Sequence, residues 1–340
     1  MQELAIVILN FNGFDHLSNF LPSVCKYNED FPIVVIDNAS TDESITLLSE
    51  KFPKVEVVKL TSNYGFAAGY NEGLAMIKNR FKFYLLLNSD VEVSKNWIPP
   101  LLSIMKDENV AACQPKVLSY TSKTHFEHAG AAGGFLDKNY FPFCRGRIFD
   151  HCEEDLGQYD YATKIAWTSG AAMLIRSELF HSSGGFDPDF FAHMEEIDLC
   201  LRLNLAGYSF VCEPQSVVYH LGGGTMPYKS PTKLFLNFRN NLIVLLKNHN
   251  GPWAPRLFIR MCLDGLAAIQ FLLSGKFSYF YMVLFAHFSF YSKLTDTLRK
   301  RREIKKVQAN SPRYNGNIIW DYYLKKINSY KSLNKRRFLR

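Results

Sequence analysis

FKFYLLLNSDVEV, residues 81–93, is the stretch whose reading decides the fold. From Phe83 to Leu87 the run is apolar without the polar gaps of a helical stripe, so it reads as a strand buried on both faces of a sheet. It stops at Asn88-Ser89-Asp90. Open α/β sheets bind ligands past the carboxyl ends of their strands, and a carboxylate there can hold a metal or a substrate. Asn, Ser and Asp also favour turns through local side-chain hydrogen bonds, so the triplet alone leaves a simple turn open.

Upstream, the same grammar repeats. Residues 4–9 form a short apolar run that ends at Asn10-Phe11-Asn12-Gly13, and residues 33–36 form another that ends at Asp37-Asn38-Ala39-Ser40. Between them Phe14, Leu17, Leu21 and Val24 fall at helical spacing despite Pro22. Ser40 or Thr41 can cap a helix over residues 44–51, and a third strand over residues 55–60 follows. Three strand–helix alternations before residue 81 predict a doubly wound, mostly parallel sheet. Residues 65–73, GFAAGYNEG, match neither a P-loop nor GxGxxG. Their glycines fit either a helix packed closely on the sheet or backbone near a phosphate. Asn10, Asp37 and Asp90 converge at the strand ends, an arrangement suited to a nucleotide with a metal on its phosphates.

Downstream, Trp97-Ile98-Pro99-Pro100 opens a helix and residues 110–117 read as a strand. The irregular segment up to Tyr161 reads as a loop over the site. Cys144, His151 and Cys152 in it lack the spacing and fourth ligand of a zinc site. Residues 173–175 form a short strand; Gly184-Gly185-Phe186-Asp187-Pro188-Asp189 then leads into a helix whose first turn carries Glu195, Glu196 and Asp198. Acidic first turns are stabilised by the helix dipole alone, so catalysis is not required to explain them. Asp198 and Arg202 are one turn apart and can pair. A further strand ends at His220, and Gly222 to Gly224 would let the following loop close over a pyrophosphate.

The chain has 340 residues, 47% of them hydrophobic, with a net charge of +7. That length predicts one large domain with an appendage, or two. Residues 293–340 hold fifteen Lys and Arg against Asp296, Glu303 and Asp321, so the basic charge is concentrated in a tail behind a mildly acidic body. Residues 257–292 are strongly apolar and aromatic, but the uncharged stretch 277–292 is shorter than the roughly 20 residues that span a bilayer. This predicts helices lying in a membrane interface, or a second buried helical core, with the basic tail meeting anionic lipid or solvent. Seven cysteines without CxxC spacing argue for a reducing compartment, and no basic, apolar leader opens the chain, which predicts a cytosolic start.

ILNFNG (8–13), VVIDNASTDES (34–44), NYGFAAGYNEG (63–73), LLLNSDVEV (85–93) and GGFDPDFFAHMEEIDLCLRLNLAGY (184–208) together resemble the inverting family 2 glycosyltransferases of the GT-A fold, in the rhamnosyltransferase-like branch. The resemblance extends to about residue 225. It implies that Asn10, Asn12, Asp37, Asn63, Gly65, Phe66, Asn71, Asn88 and Ser89 line the donor nucleotide. Asn88-Ser89-Asp90 matches the family's DxD motif with Asn in the first place, Asp90 and His220 being the implied ligands of Mn²⁺ or Mg²⁺. Glu196 matches the position of the general base, usually Asp, and Glu195 remains open for that role; Asp187, Asp198 and Arg202 fall on the acceptor side. Arg239-Asn240 recurs in the family beside the active site.

The expectation is therefore an α/β GT-A domain over residues 1–230 and a helical, basic, membrane-surface region over 231–340. The activity expected is inverting transfer of a sugar from a UDP- or dTDP-sugar to a glycan or lipid-linked acceptor in bacterial surface polysaccharide synthesis, at the inner face of the cell membrane. No nucleic-acid partner is expected. A non-catalytic nucleotide-sugar or glycan-binding module is the alternative, ahead of a sugar nucleotidyltransferase, which would need basic residues that ILNFNG lacks.

Overall fold

The computed structural model describes residues 1–222, 230–304, 307 and 312–339. Its first half alternates as expected: β1 (Gln2–Asn10), α1 (Phe14–Lys26), β2 (Ile33–Asp37), α2 (Ser44–Lys51), β3 (Glu56–Lys59), α3 (Gly65–Met76) and β4 (Phe81–Asn88). β1 pairs in parallel with both β2 and β4, bringing Asn10 opposite Asp37 and Leu9 opposite Asn88. The chain winds one way from β1 to β2 and β3, then crosses back to β4. Three polar strand ends thus share one edge at the point where the winding reverses. The glycines of α3 serve packing: a Cβ on Gly73 would lie 2.5 Å from Ile36, and one on Gly69 3.0 Å from Asn38 Nδ2.

Beyond β4 come β5 (Val91–Val93), α4 (Ile98–Ile104) and β6 (Val110–Ser119). Four short strands follow, β7 (Gly134–Leu136), β8 (Pro142–Cys144), β9 (Arg147–Ile148) and β10 (His151–Cys152). The main sheet is completed by β11 (Thr163–Ile165), β12 (Ala172–Arg176) and β13 (Ser209–His220), with α5 (Ser177–Ser182) and α6 (Glu195–Leu205) between the last two. Its order is β11-β13-β6-β12-β4-β1-β2-β3, and β5 pairs with β13.

Two expectations are corrected. The sheet is mixed, because β12 runs antiparallel to both β4 and β6. It enters from the end where β4 stops, as the Ala171 carbonyl accepting the Asn88 N–H at 3.0 Å shows. Residues 134–152 are not a loop but the separate antiparallel sheet β10-β9-β8-β7, whose strands of two or three residues are too short to carry a period.

The C-terminal part is a helical layer: α7 (Pro231–Asn248), α8 (Trp253–Leu273), α9 (Phe277–Ser292) and α10 (Leu294–Glu303). Leu242 to Leu246 of α7 are buried on every side, so the C-terminal half of α7 lies inside the molecule. Residues 313–339 are not a free tail. Tyr314, Ile318 and Leu333 are buried, β14 (Arg313–Tyr314) pairs with β15 (Phe338–Leu339), and Ile318 N–H donates to Asp137 Oδ2 at 3.0 Å. The loop expected to close from Gly222 to Gly224 lies, from residue 223 to 229, outside the described residues.

Candidate active site

At the β1–β2 edge, Asn10 Nδ2 donates to Asp37 Oδ1 at 3.3 Å and to Ser40 Oγ at 3.1 Å, while its Oδ1, though buried, has no partner. Ser40 Oγ also accepts the Asn12 N–H, and Asn12 Oδ1 accepts the Thr41 N–H at 2.7 Å. Asn10, Asn12 and Asp37 therefore form one hydrogen-bonded patch, with Asp37 buried but for 3% of its surface. Asn63 is joined to this patch through a residue not singled out from the sequence. Asn38 donates to Asn63 Oδ1 at 2.9 Å and to the Gly65 carbonyl at 3.0 Å, and accepts the Tyr64 N–H. Gly65 turns α3 in with φ +76°, close against the ring of Phe191. Asn71 faces elsewhere: its amide makes two hydrogen bonds, 2.7 and 2.9 Å, to the Phe186 backbone.

At the β4 end, Asn88 and Ser89 are half-buried and Asp90 is buried. β13 runs antiparallel to β5 and sets His220 opposite Val91, so His220 Nε2 lies 3.2 Å from Asp90 Oδ1 and 3.5 Å from Asn88 Nδ2. The other ring nitrogen, Nδ1, lies 3.2 Å from Glu127 Oε2, a buried carboxylate absent from the sequence-level expectation. Burial alone would lower the imidazole, but Glu127 and Asp90 outweigh it and lift it to about 10. Burial likewise opposes ionisation of Asp90, and the hydrogen bond from His220 overcomes it and holds the carboxyl below its usual value.

This donor set fits a divalent cation once the ion displaces the proton from Nε2, as ligation by an imidazole requires. Adjacent ligands of a six-coordinate ion bound at about 2.1 Å lie about 3 Å apart, the spacing of Asp90 Oδ1 and His220 Nε2. Among the described residues no third His, Cys, Asp or Glu joins them as a ligand, and Glu127 sits behind the ring.

The acidic helix start closes the other side. Glu195 is 4% exposed, whereas Glu196 is partly buried as a residue, with its Oε2 buried. Burial, then the Glu196 charge, pushes Glu195 far above the carboxylate range; burial lifts Glu196 to about 7. One carboxylate oxygen of each has no partner. Gly170 connects this pair to the β4 end. A Cβ there would stand 3.9 Å from Glu196 Cγ and 3.8 Å from the Phe66 ring, and Gly170 directly precedes Ala171, which holds the Asn88 N–H.

The loop into α6 is strained, since Phe191, His193 and Met194 all have φ between 63° and 76°. Arg239 Nη2 donates to the Asp189 and Phe190 carbonyls, and Asn240 Nδ2 lies 2.8–3.1 Å from those of Phe190, Ala192 and His193. Asp187, Asp198 and Arg202 lie inside the molecule beneath this loop. Asp198 accepts from Arg202 Nε at 2.8 Å, Lys247 Nζ at 2.9 Å and Asn248 at 2.8 Å, while Asp187 accepts from Lys247 at 2.6 Å and Lys300 at 2.9 Å. Arg202 also holds the Ser183 and Gly185 carbonyls, each at 2.6 Å.

Known proteins resemble this chain in sequence and in fold. The profile of the family "Glycosyl transferase family 2" matches residues 5–181. The N-acetylglucosaminyl-diphospho-decaprenol L-rhamnosyltransferase of Mycobacterium tuberculosis is 23% identical over 299 residues, 78% of this chain and 91% of that protein. The rhamnosyltransferase WbbL of Escherichia coli K12 is 23% identical over 209 residues, 59% of this chain and 77% of that protein. Among solved structures, the mannosyltransferase PcManGT of Pyrobaculum calidifontis, with GDP-Man and Mn²⁺, superposes with a TM-score of 0.51 at 12% identity over 88% of this chain and 86% of that one. GalNAc-T7 with UDP, GalNAc and Mn²⁺ superposes with a TM-score of 0.54 at 18% identity, over 73% of this chain and 48% of that chain, so the match spans about half of its length. The matched profile covers more than half of the chain, from β1 into α5, and the fold is shared with sugar transferases: the chain belongs to glycosyl transferase family 2, the inverting glycosyltransferases that use nucleotide-sugar donors.

Proposed function

We propose that this glycosyltransferase moves a hexosyl or rhamnosyl unit from a UDP- or dTDP-sugar to a glycan or lipid-linked acceptor during bacterial surface polysaccharide synthesis, with Glu196 as the base. The observation that carries the assignment is the partly exposed Glu196, lifted to about 7, set beside Gly170 next to the end of β4. A carboxylate with that proton affinity can take the proton from an acceptor hydroxyl as its oxygen attacks the anomeric carbon opposite the departing diphosphate. Glu195, sealed under the loop, favours Glu196 for this step.

Asn10, Asn12, Asp37 and Asn63 form the wall for the base and ribose, with Gly65 and Phe66 at its corner and Asn88 and Ser89 toward the diphosphate. Asp90 and His220 would hold Mn²⁺ or Mg²⁺, which when bound supplies the positive charge that stabilises the leaving diphosphate. Asp187, Asp198 and Arg202 act on the acceptor side by fixing the loop and α6 rather than by touching the acceptor, because their polar atoms are held by lysines, amides and carbonyls.

The relatives' acceptors suggest where the enzyme works: the mycobacterial relative is named for a decaprenol-linked substrate. No described helix is long and apolar enough to cross a membrane. Yet α8 and α9 expose Phe258, Leu266, Leu273, Phe277, Phe285 and Phe288, each more than half exposed, and that surface suits docking on the inner face of the cell membrane.

The test is the affinity of the purified protein for UDP and dTDP, with and without Mn²⁺ or Mg²⁺, compared with Asp90→Ala, followed by transfer assays with Glu196→Gln. Metal-dependent binding lost in Asp90→Ala, with turnover lost but binding kept in Glu196→Gln, is the expected pattern. Turnover retained by Glu196→Gln would move the base to Glu195. Donor binding without product under any acceptor would favour the non-catalytic binding module.

A further inference from the structure

We propose that Glu127 is a positioning residue that acts through His220: it fixes the orientation of the imidazole and decides which ring nitrogen faces Asp90. The inference deepens the metal-dependent reading above and rests on it for its catalytic meaning. A histidine that ligates a metal through one nitrogen generally donates the other N–H to a carboxylate or carbonyl, which locks the tautomer and the ring plane. Glu127 is placed for that role. Its Oε2 is 3.2 Å from His220 Nδ1, on the side of the ring away from Asp90, which meets Nε2 at the same distance.

Both residues are anchored on β6. His220 is in register with Ser119, while Phe126, the residue before Glu127, bridges Leu118, and Glu127 N–H donates to the Val117 carbonyl at 3.1 Å. The carboxylate is itself oriented, because Oε2 accepts the Ala129 N–H at 2.5 Å. Glu127 is 3% exposed and His220 6%, so water has little access to either partner. A buried carboxylate is costly unless it is hydrogen-bonded, and this one is directed at a ring with a second carboxylate on its far side. A role limited to neutralising nearby Lys233, which feels the Glu127 charge, would not require Oε2 to lie within 3.2 Å of Nδ1.

The test uses the full chain as Glu127→Ala, Glu127→Gln, His220→Ala and the Glu127→Ala/His220→Ala pair. Mn²⁺ affinity is read by electron paramagnetic resonance in the presence of UDP, and the His220 Nδ1–H signal by nitrogen-15 NMR of the metal-free protein. Glu127→Ala should weaken Mn²⁺ binding about 10- to 100-fold, the range for lost outer-shell partners. It should also expose the Nδ1–H to exchange with water. Glu127→Gln keeps an oxygen acceptor and should restore most of both, and the double variant should bind no more weakly than His220→Ala alone. Wild-type affinity in Glu127→Ala, equal failure of Gln and Ala, or a further loss in the double variant would each overturn the inference. If the wild-type protein binds no Mn²⁺, the metal reading of the site falls. The NMR signal then decides alone: a protected Nδ1–H lost in Glu127→Ala upholds the positioning role, and an unchanged one removes it.

Discussion

Adjacent glutamates at the start of α6 have different exposures: Glu195 is sealed, Glu196 partly open. Because burial lifts Glu196 to about 7, its basic form accumulates only as the pH passes that value. We expect log kcat/KM to rise with unit slope up to about pH 7 and then level, and a profile flat from pH 5 to 8 would remove Glu196 from the proton transfer. The same shift has a stability sign. The folded protein holds the proton between about 4.5 and 7 while the unfolded chain has lost it, so this group's contribution falls as pH rises through that window. Glu196→Gln, inactive, should therefore be more stable than wild type at pH 8, by on the order of 1–3 kcal/mol, and gain less at pH 5, which thermal melts at the two values would show. Much of this site is legible in the sequence, because Asp37 and Asp90 follow apolar runs and Glu195-Glu196 opens an apolar-periodic helix. Glu127 and Asn38 are not, since the partner of each is set by the fold: the chain's return along β6 for one, the entry of α3 for the other.

At the scale of elements, the apolar runs made β1 to β4 readable, because each buries its own pattern locally, while the glycines of residues 65–73 left a packed helix and a phosphate-binding backbone both open. Gly73 shows how tightly α3 packs: alanine there gains roughly 1 kcal/mol of helix propensity but drives a Cβ to 2.5 Å from buried Ile36. Overpacking of this kind costs about 1–3 kcal/mol, so Gly73→Ala should lower the melting temperature; a rise would mean that β2 yields freely. The direction of β12 was not readable, because its four buried apolar residues, Ala172 to Ile175, look alike in either orientation. Nor does local sequence explain three left-handed non-glycine residues ahead of α6, each disfavoured by roughly 1–2 kcal/mol. They persist because Arg239 and Asn240, on α7, grip the loop's carbonyls. Asn240→Ala should release that grip and lower kcat at least about tenfold through misplacement of Glu196, while nucleotide affinity stays near wild type. Unchanged turnover would show that the loop holds its shape unaided.

The whole molecule joins this loop to its apolar surface through one ionic chain. Lys300 of α10 contacts both Asp187 and Asp189, Lys293 at the end of α9 reaches Asp189 at 2.9 Å, and Lys247 of α7 links Asp187 to Asp198 under the candidate base. The sequence showed the ingredients, an apolar stretch followed by basic residues, but not that 313–339 would fold back while, among the described residues, the α8–α9 face keeps a large apolar area exposed. Transferring one such side chain from water contributes about 1.5–3 kcal/mol, and each lysine or arginine near an anionic surface adds about 1 kcal/mol. Phe285 and Phe288 are 55% and 70% exposed, so charging them should leave the core intact. We expect the wild-type chain to sediment with vesicles containing phosphatidylglycerol, more strongly at low salt, and Phe285→Asp/Phe288→Asp to lose that binding by 100-fold or more, on the order of 3 kcal/mol, with UDP affinity unchanged. Vesicle binding that survives both aspartates would place the lipid contact elsewhere. A wild-type chain that ignores vesicles but runs as a dimer, turned monomeric by the same pair, would identify a second copy as what covers α8 and α9.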